Sequence, residues 1–142
     1  MNDPRKPSVA HRTTVHVSVP GGMPAPLPAV LLYDPDDPYA VRLSFDAPAT
    51  DPVDWVFARS LLIEGLRRPV GIGDVLVIPR HGRHPGSMRI VLRSPAGAAL
   101  IDVAESPVTA FLRRSVSLVP PGTESFHIDL DRTLDALTGR WD

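Results

Sequence analysis

Cysteine is missing from this chain altogether. Its absence removes disulfides, thiolate nucleophiles and cysteine-ligated zinc, and it suits a reducing compartment. No stretch approaches the ~18 apolar residues that a membrane helix needs. The opening MNDPRKPSVAHRTT has no apolar run of the kind a secretory signal carries. A soluble, cytoplasmic protein is the expectation. Neither sign of charge is in excess: 15 Lys and Arg stand against 16 Asp and Glu, for a net charge of −1. No global field therefore draws the chain toward nucleic acid or membrane. Long helices are also discouraged, because 17 prolines interrupt the chain.

What is present suits one globular domain. The 142 residues are 43% hydrophobic and 22% charged, close to the average for folded proteins. A chain of this length buries roughly 70% of its unfolded surface, enough for a core. Residues 1–12 carry Pro4, Arg5, Lys6, Pro7 and Arg12 with few apolar groups and read as a flexible tail. That leaves 13–142 as the single domain.

Periodicity divides the domain into strands and helices. TTVHVSV alternates, with Thr13, Val15, Val17 and Val19 on one face and Thr14, His16 and Ser18 on the other. PGGMPAPLP (20–28) is a turn-rich connection, AVLLY (29–33) a central strand and DPDDP (34–38) a tight turn. YAVRLSFD (39–46) alternates with Tyr39, Val41, Leu43 and Phe45 inward, and VDWVF (53–57) is a fourth strand. From Ala58 the period becomes helical: Ala58, Leu62 and Leu66 are four apart, and Gly65 to Pro69 end the helix. Gly71 and Gly73 mark a turn. DVLVIP (74–79), SMRIVLR (87–93) and AALIDVA (98–104) are three further strands, the last two joined by the hairpin turn SPAG. Ser106 is placed to cap a second helix with Pro107 at its first position and Glu105 near its positive end. Its inner stripe is Val108, Phe111, Leu112, Ser115 and Val119, and Pro120, Pro121 and Gly122 stop it. A third helix is expected from about Asp131. The order ββββα-βββαα implies an α+β fold with an antiparallel sheet. Two halves, each ending in a helix, hint at an internal pseudo-repeat.

Candidate catalytic groups do not assemble into a known pattern. Gly71-Ile72-Gly73 follows a helix and precedes a strand, so it lacks the helix N-terminus that a phosphate loop uses. No G-x-S-x-G elbow occurs, and Ser60 follows Arg59 on a helix rather than a strand-to-helix turn. Asp36-Asp37 reads as turn chemistry. His81 and His84 have a spacing seen in metal sites but lie beside arginines, which oppose a second cation. His127, Asp129 and Asp131 share a strand face and could ligate a metal, though such a face is more often solvated. His11 and His16 have no evident partner. No catalytic residue, metal site or cofactor is assigned.

The segment from Val75 to Ile101 contains no Asp or Glu. It does contain Arg80, His81, Arg83, His84, Arg89 and Arg93, a local positive patch and the candidate interaction surface. Its partner would be an acidic protein surface or a nucleic-acid backbone; the alternative is a solvated hairpin balanced by acids elsewhere. The segment has no aromatic residue on which bases could stack, which counts against nucleic acid. Trp55, Phe57, Leu62 and Phe111 are assigned to the structural core.

The stretches LLYDPDDPYAVRLSF, DPVDWVFARSLLIEGLRRPVGIGDV, LRSPAGAALID, AFLRR and VPPGTE occur in this order. Together they closely resemble the SsgA-like proteins of actinobacteria, a sporulation and cell-division family, from about residue 13 to 138. The resemblance implies a Whirly-like fold, a homotrimer and a non-enzymatic role at division septa. It also implies division proteins as partners, either the tubulin-like GTPase FtsZ or another family member. Single-stranded nucleic-acid binding through a Whirly-like sheet is the alternative function. The chain departs from the family pattern at Ser60, where an acidic residue is usual, and at Ile78, where a bulkier aromatic is frequent.

Overall fold

The computed structural model describes residues 8–46, 52–79 and 86–126. Its elements are β1 (Val9–Ser18), β2 (Ala25–Tyr33), β3 (Ala40–Phe45), β4 (Val53–Ala58), α1 (Arg59–Gly65), β5 (Val70–Ile72), β6 (Val75–Pro79), β7 (Ser87–Ser94), β8 (Gly97–Ala104) and α2 (Glu105–Leu118). The strands form one antiparallel sheet in the order β4-β3-β2-β1-β8-β7-β6-β5. The architecture is therefore α+β. It consists of two four-stranded meanders, each followed by a helix, joined where the first strand pairs with the last.

The pseudo-repeat extends to how the helices start. Neither has a side-chain cap. Instead the first N–H of each donates to the residue just before the neighbouring strand. Arg59 N–H donates to the Tyr39 carbonyl (2.7 Å), and Glu105 N–H to the Gly86 carbonyl (2.8 Å). Backbone acceptors thus satisfy the first of the orphan N–H groups at each helix start.

The connection through α1 forces the sheet to curve. β4 and β5 lie at opposite ends of the strand order, and seven steps of ~4.8 Å would place them about 34 Å apart in a flat sheet. The seven residues of α1 and the four from Leu66 to Pro69 reach at most about 25 Å. The sheet must curl around its inner face, and α1 closes the gap between its edges. Gly65 is required there, since a Cβ would stand 2.2 Å from the Val77 Cγ1 of β6.

Inward positions follow the two-residue period. Val15, Leu31, Leu43, Val77, Ile90 and Ile101 are almost completely buried beneath Leu61 and Leu62 of α1 and Val108, Phe111 and Leu112 of α2. Phe57 is buried with them, and Trp55 packs half-buried at the margin. No helix among the described residues is long and apolar enough to cross a membrane.

Several boundaries differ from the sequence reading. β1 begins at Val9, which is 3% exposed, so the sheet reaches four residues into the segment 1–12 read as a tail. β2 extends back to Ala25 through part of the expected turn. Pro26 and Pro28 are tolerated because β3 pairs only with Ala29–Leu32, leaving their flank without a ladder partner. Gly71 lies in strand β5, paired with Leu76, and Gly73 alone supplies the turn at φ +60. Tyr39 precedes β3 and is 51% exposed rather than inward. α2 starts at Glu105, so Ser106 lies inside it and does not cap it. The expected third helix from Asp131 falls outside the described residues, as do His127 and Asp129.

Candidate interaction surface and a buried arginine

Of the six residues proposed as an interaction surface, Arg80, His81, Arg83 and His84 fall outside the described residues. Arg89 and Arg93 share the outer face of β7, as their spacing requires. Arg93 is exposed near the end of the strand. Arg89 is not a free cation. The register sets it opposite Asp102 of β8, and two hydrogen bonds join them: Nε to Oδ1 at 2.8 Å and Nη2 to Oδ2 at 3.2 Å. The Asp102 hydrogen bond raises the Arg89 pKa further, against a smaller opposing effect of burial. The acid-free stretch of sequence thus ends one residue before the acid that neutralises it.

Beside this ion pair runs an apolar row. Leu76, Val91 and Leu100 are successive partners across β6, β7 and β8, and Val91 is only 8% exposed. Ile78 stands opposite Arg89. The described part of this face is therefore an apolar row beside a clamped charge pair, with Arg93 exposed toward the strand end. Such a face suits a protein partner better than a phosphate backbone, which is held by free cations. The two described histidines, His11 and His16, lie on β1, with His16 facing Asp102 in register.

A shallow depression of about 500 Å³ crosses the outer face of β1–β3, lined by Arg12, Pro28, Val30, Leu32, Ser44 and Asp46 among others. Ser44 there donates to Asp54, with no histidine between them. Among the described residues, no group of three His, Asp or Glu side chains is placed to hold a metal ion.

The residue that sequence reasoning passed over is Arg59, read only as the neighbour of Ser60. It is 1% exposed. Nη1 donates to the Ser115 carbonyl at 3.2 Å and to Ser115 Oγ at 3.5 Å. Nη2 pairs with Glu124 Oε2 at 3.2 Å. The guanidinium carbon stands 4.9 Å from the Tyr33 ring centroid, a cation–π distance. Tyr33 in turn donates to the Pro38 carbonyl at 2.9 Å. One cation therefore ties α1 to β2, to the last turns of α2 and to the segment beyond it. Burial pushes the Glu124 carboxyl up, but backbone N–H groups of Glu124 and Gly122 together with Arg59 outweigh it and leave the pKa lowered. A signal was available: Arg59 lies three residues before Leu62, on the buried stripe of α1.

The comparisons with known proteins agree with this architecture. The family described as "Streptomyces sporulation and cell division protein, SsgA" matches residues 27–124. The chain belongs to this family. A sporulation-specific cell division protein, SsgB, of Frankia casuarinae is 44% identical over 133 residues, covering 94% of this chain and 93% of the relative. SsgB of Streptomyces coelicolor is 50% identical over 109 residues, covering 77% and 80%. The crystal structure of an SsgA-like sporulation-specific cell division protein from Thermobifida fusca superposes with a TM-score of 0.85 at 37% identity, over 95% of this chain and 98% of the other.

Proposed function

We propose that this protein is a non-enzymatic adaptor in septum-site selection or septum formation, acting by docking to other division proteins. Its family membership carries the reading, since relatives at 44% and 50% identity are named sporulation-specific cell division proteins. The outer face of β6–β8, with Leu76, Val91 and Leu100 beside the Arg89–Asp102 pair, supports protein docking over polyanion binding. The partner is FtsZ or another member of the family. Assembly as a homotrimer would multiply weak contacts to a polymer that presents repeated sites. The place of action is the cytoplasm at division septa.

A fluorescently tagged copy expressed in a sporulating actinobacterium tests this. The tag should gather at septa, and deletion of the gene should change septum number or position. Diffuse fluorescence with normal division would sink the proposal.

A further inference from the structure

After α2 the chain runs along the surface, and from Pro120 to Phe126 every residue is exposed except Glu124. A turn over residues 120–123 leads into helical backbone at 124–126. Thr123 Oγ1 and N–H both donate to the Pro120 carbonyl (2.6 and 3.1 Å), Phe126 N–H donates to the Thr123 carbonyl (3.1 Å) and Gly122 N–H donates to Glu124 Oε1 (2.6 Å). The segment is thus a preformed strap in which Glu124 is the least exposed residue. Its side chain meets Arg59.

The receiving side is made of regular elements. Tyr33 closes β2, Arg59 opens α1 and Ser115 lies in the last turns of α2. Ser115 Oγ donates to the Leu112 carbonyl (2.8 Å), leaving its lone pairs turned to Arg59. None of these positions depends on the strap's own turn for its backbone geometry. If Glu124 leaves, the guanidinium keeps its carbonyl, hydroxyl and ring contacts but loses its only described anion. An unpaired cation in so closed a place is strongly disfavoured, and a planar guanidinium edge is shaped for a carboxylate.

We propose that Arg59 forms a carboxylate socket occupied in cis by Glu124. The segment Pro120–Phe126 is a displaceable strap whose release opens this socket to an acidic side chain of a partner protein. The contact is then a built-in competitor, and partner binding is coupled to the path of the chain after α2.

The test uses the full chain carrying Glu124→Ala. Its thermal midpoint should fall below that of the parent, then rise saturably with sodium acetate and not with sodium chloride at matched ionic strength. The parent and the Arg59→Met/Glu124→Ala double variant should not respond to acetate. A synthetic peptide copying Pro120–Phe126 should bind the Glu124→Ala protein at least tenfold more tightly than the parent. The same peptide with Gln in place of its Glu should lose that advantage. No acetate response, an equal response in all three proteins, or equal peptide binding to parent and variant overturns the proposal. Where Glu124→Ala fails to fold, Glu124→Gln serves. Amide exchange at Thr123–Phe126 should accelerate at least tenfold while α2 stays protected, and unchanged exchange at the strap overturns the displaceable contact.

Discussion

Replacing Gly65 by Ala tests whether α1 is wedged against the sheet as the curvature requires. An added Cβ would lie 2.2 Å from Val77 Cγ1 and 2.7 Å from Val77 Cβ. Carbon atoms in favourable contact sit ~3.5–4.0 Å apart, so the new methyl cannot be accommodated where it falls. Turning the Val77 side chain moves Cγ1 but not Cβ, and Val77 is 0% exposed on a strand paired on both sides. Overpacking of this kind costs ~1–3 kcal/mol. Helix propensity acts the other way and returns up to ~1 kcal/mol for Gly to Ala. The net expectation is a loss of about 1–2 kcal/mol, or a fall in melting temperature of roughly 3–8 °C for a domain of this size. Urea unfolding of Gly65→Ala, Val77→Ala and the double variant measures it. The double variant should be more stable than the two single losses added together, by roughly 0.5–3 kcal/mol. A Gly65→Ala protein as stable as the parent, or strict additivity, would refute the close approach of α1 to β6.

Phe111, 0% exposed at the centre of the α2 stripe, should cost ~3–5 kcal/mol when cut to Ala, read from chemical denaturation. Asp102→Ala leaves Arg89 unpaired on the outer face. It should lower stability by about 1 kcal/mol and delay elution from a heparin column, a delay that added salt removes. Tyr33 gives an alkaline signature. Burial pushes its phenol up to about 12 from an ordinary 10, with Arg59 pulling it back and Glu124, Asp37 and Asp34 adding to the rise. A folded pKa above the unfolded one stabilises fully below pH 10, and that stability is lost as pH climbs through about 12. Tyr33→Phe should be less stable than the parent at neutral pH, with a gap that narrows across this window in thermal melts.

Much of the fold was legible because it depends on local period. The alternations in β3 and β7 and the stripe Val108, Phe111, Leu112, Ser115 and Val119 are properties of a few adjacent residues, and the buried positions follow them except at Val91, which is buried on the outer face of β7. The turn reading of Gly71-Ile72-Gly73 illustrates the limit. A three-residue strand has almost no periodicity of its own, and β5 exists because β6 offers it a partner. The missed strand is also what completes the pseudo-repeat, which the sequence only hinted at through its two helices. The α2 cap shows a related effect. Ser106 has the right chemistry, but α2 starts directly from the end of β8 at Glu105, whose N–H goes to the Gly86 carbonyl brought alongside by the β7–β8 pairing, so Ser106 already lies inside the helix.

The sequence by itself determined the class of fold, the family and the greater part of the core, since these rest on residue order and short-range spacing. Tertiary structure alone decided which charges are free. Arg89 meets Asp102 across 13 positions, and Arg59 meets Glu124 across 65. A charged residue's exposure depends on what the folded chain brings to it, and local composition carries no record of that. The segment that looked most cationic is therefore partly neutralised. The arginine that looked incidental is the most buried charge among the described residues, because α1, α2 and β2 converge on it.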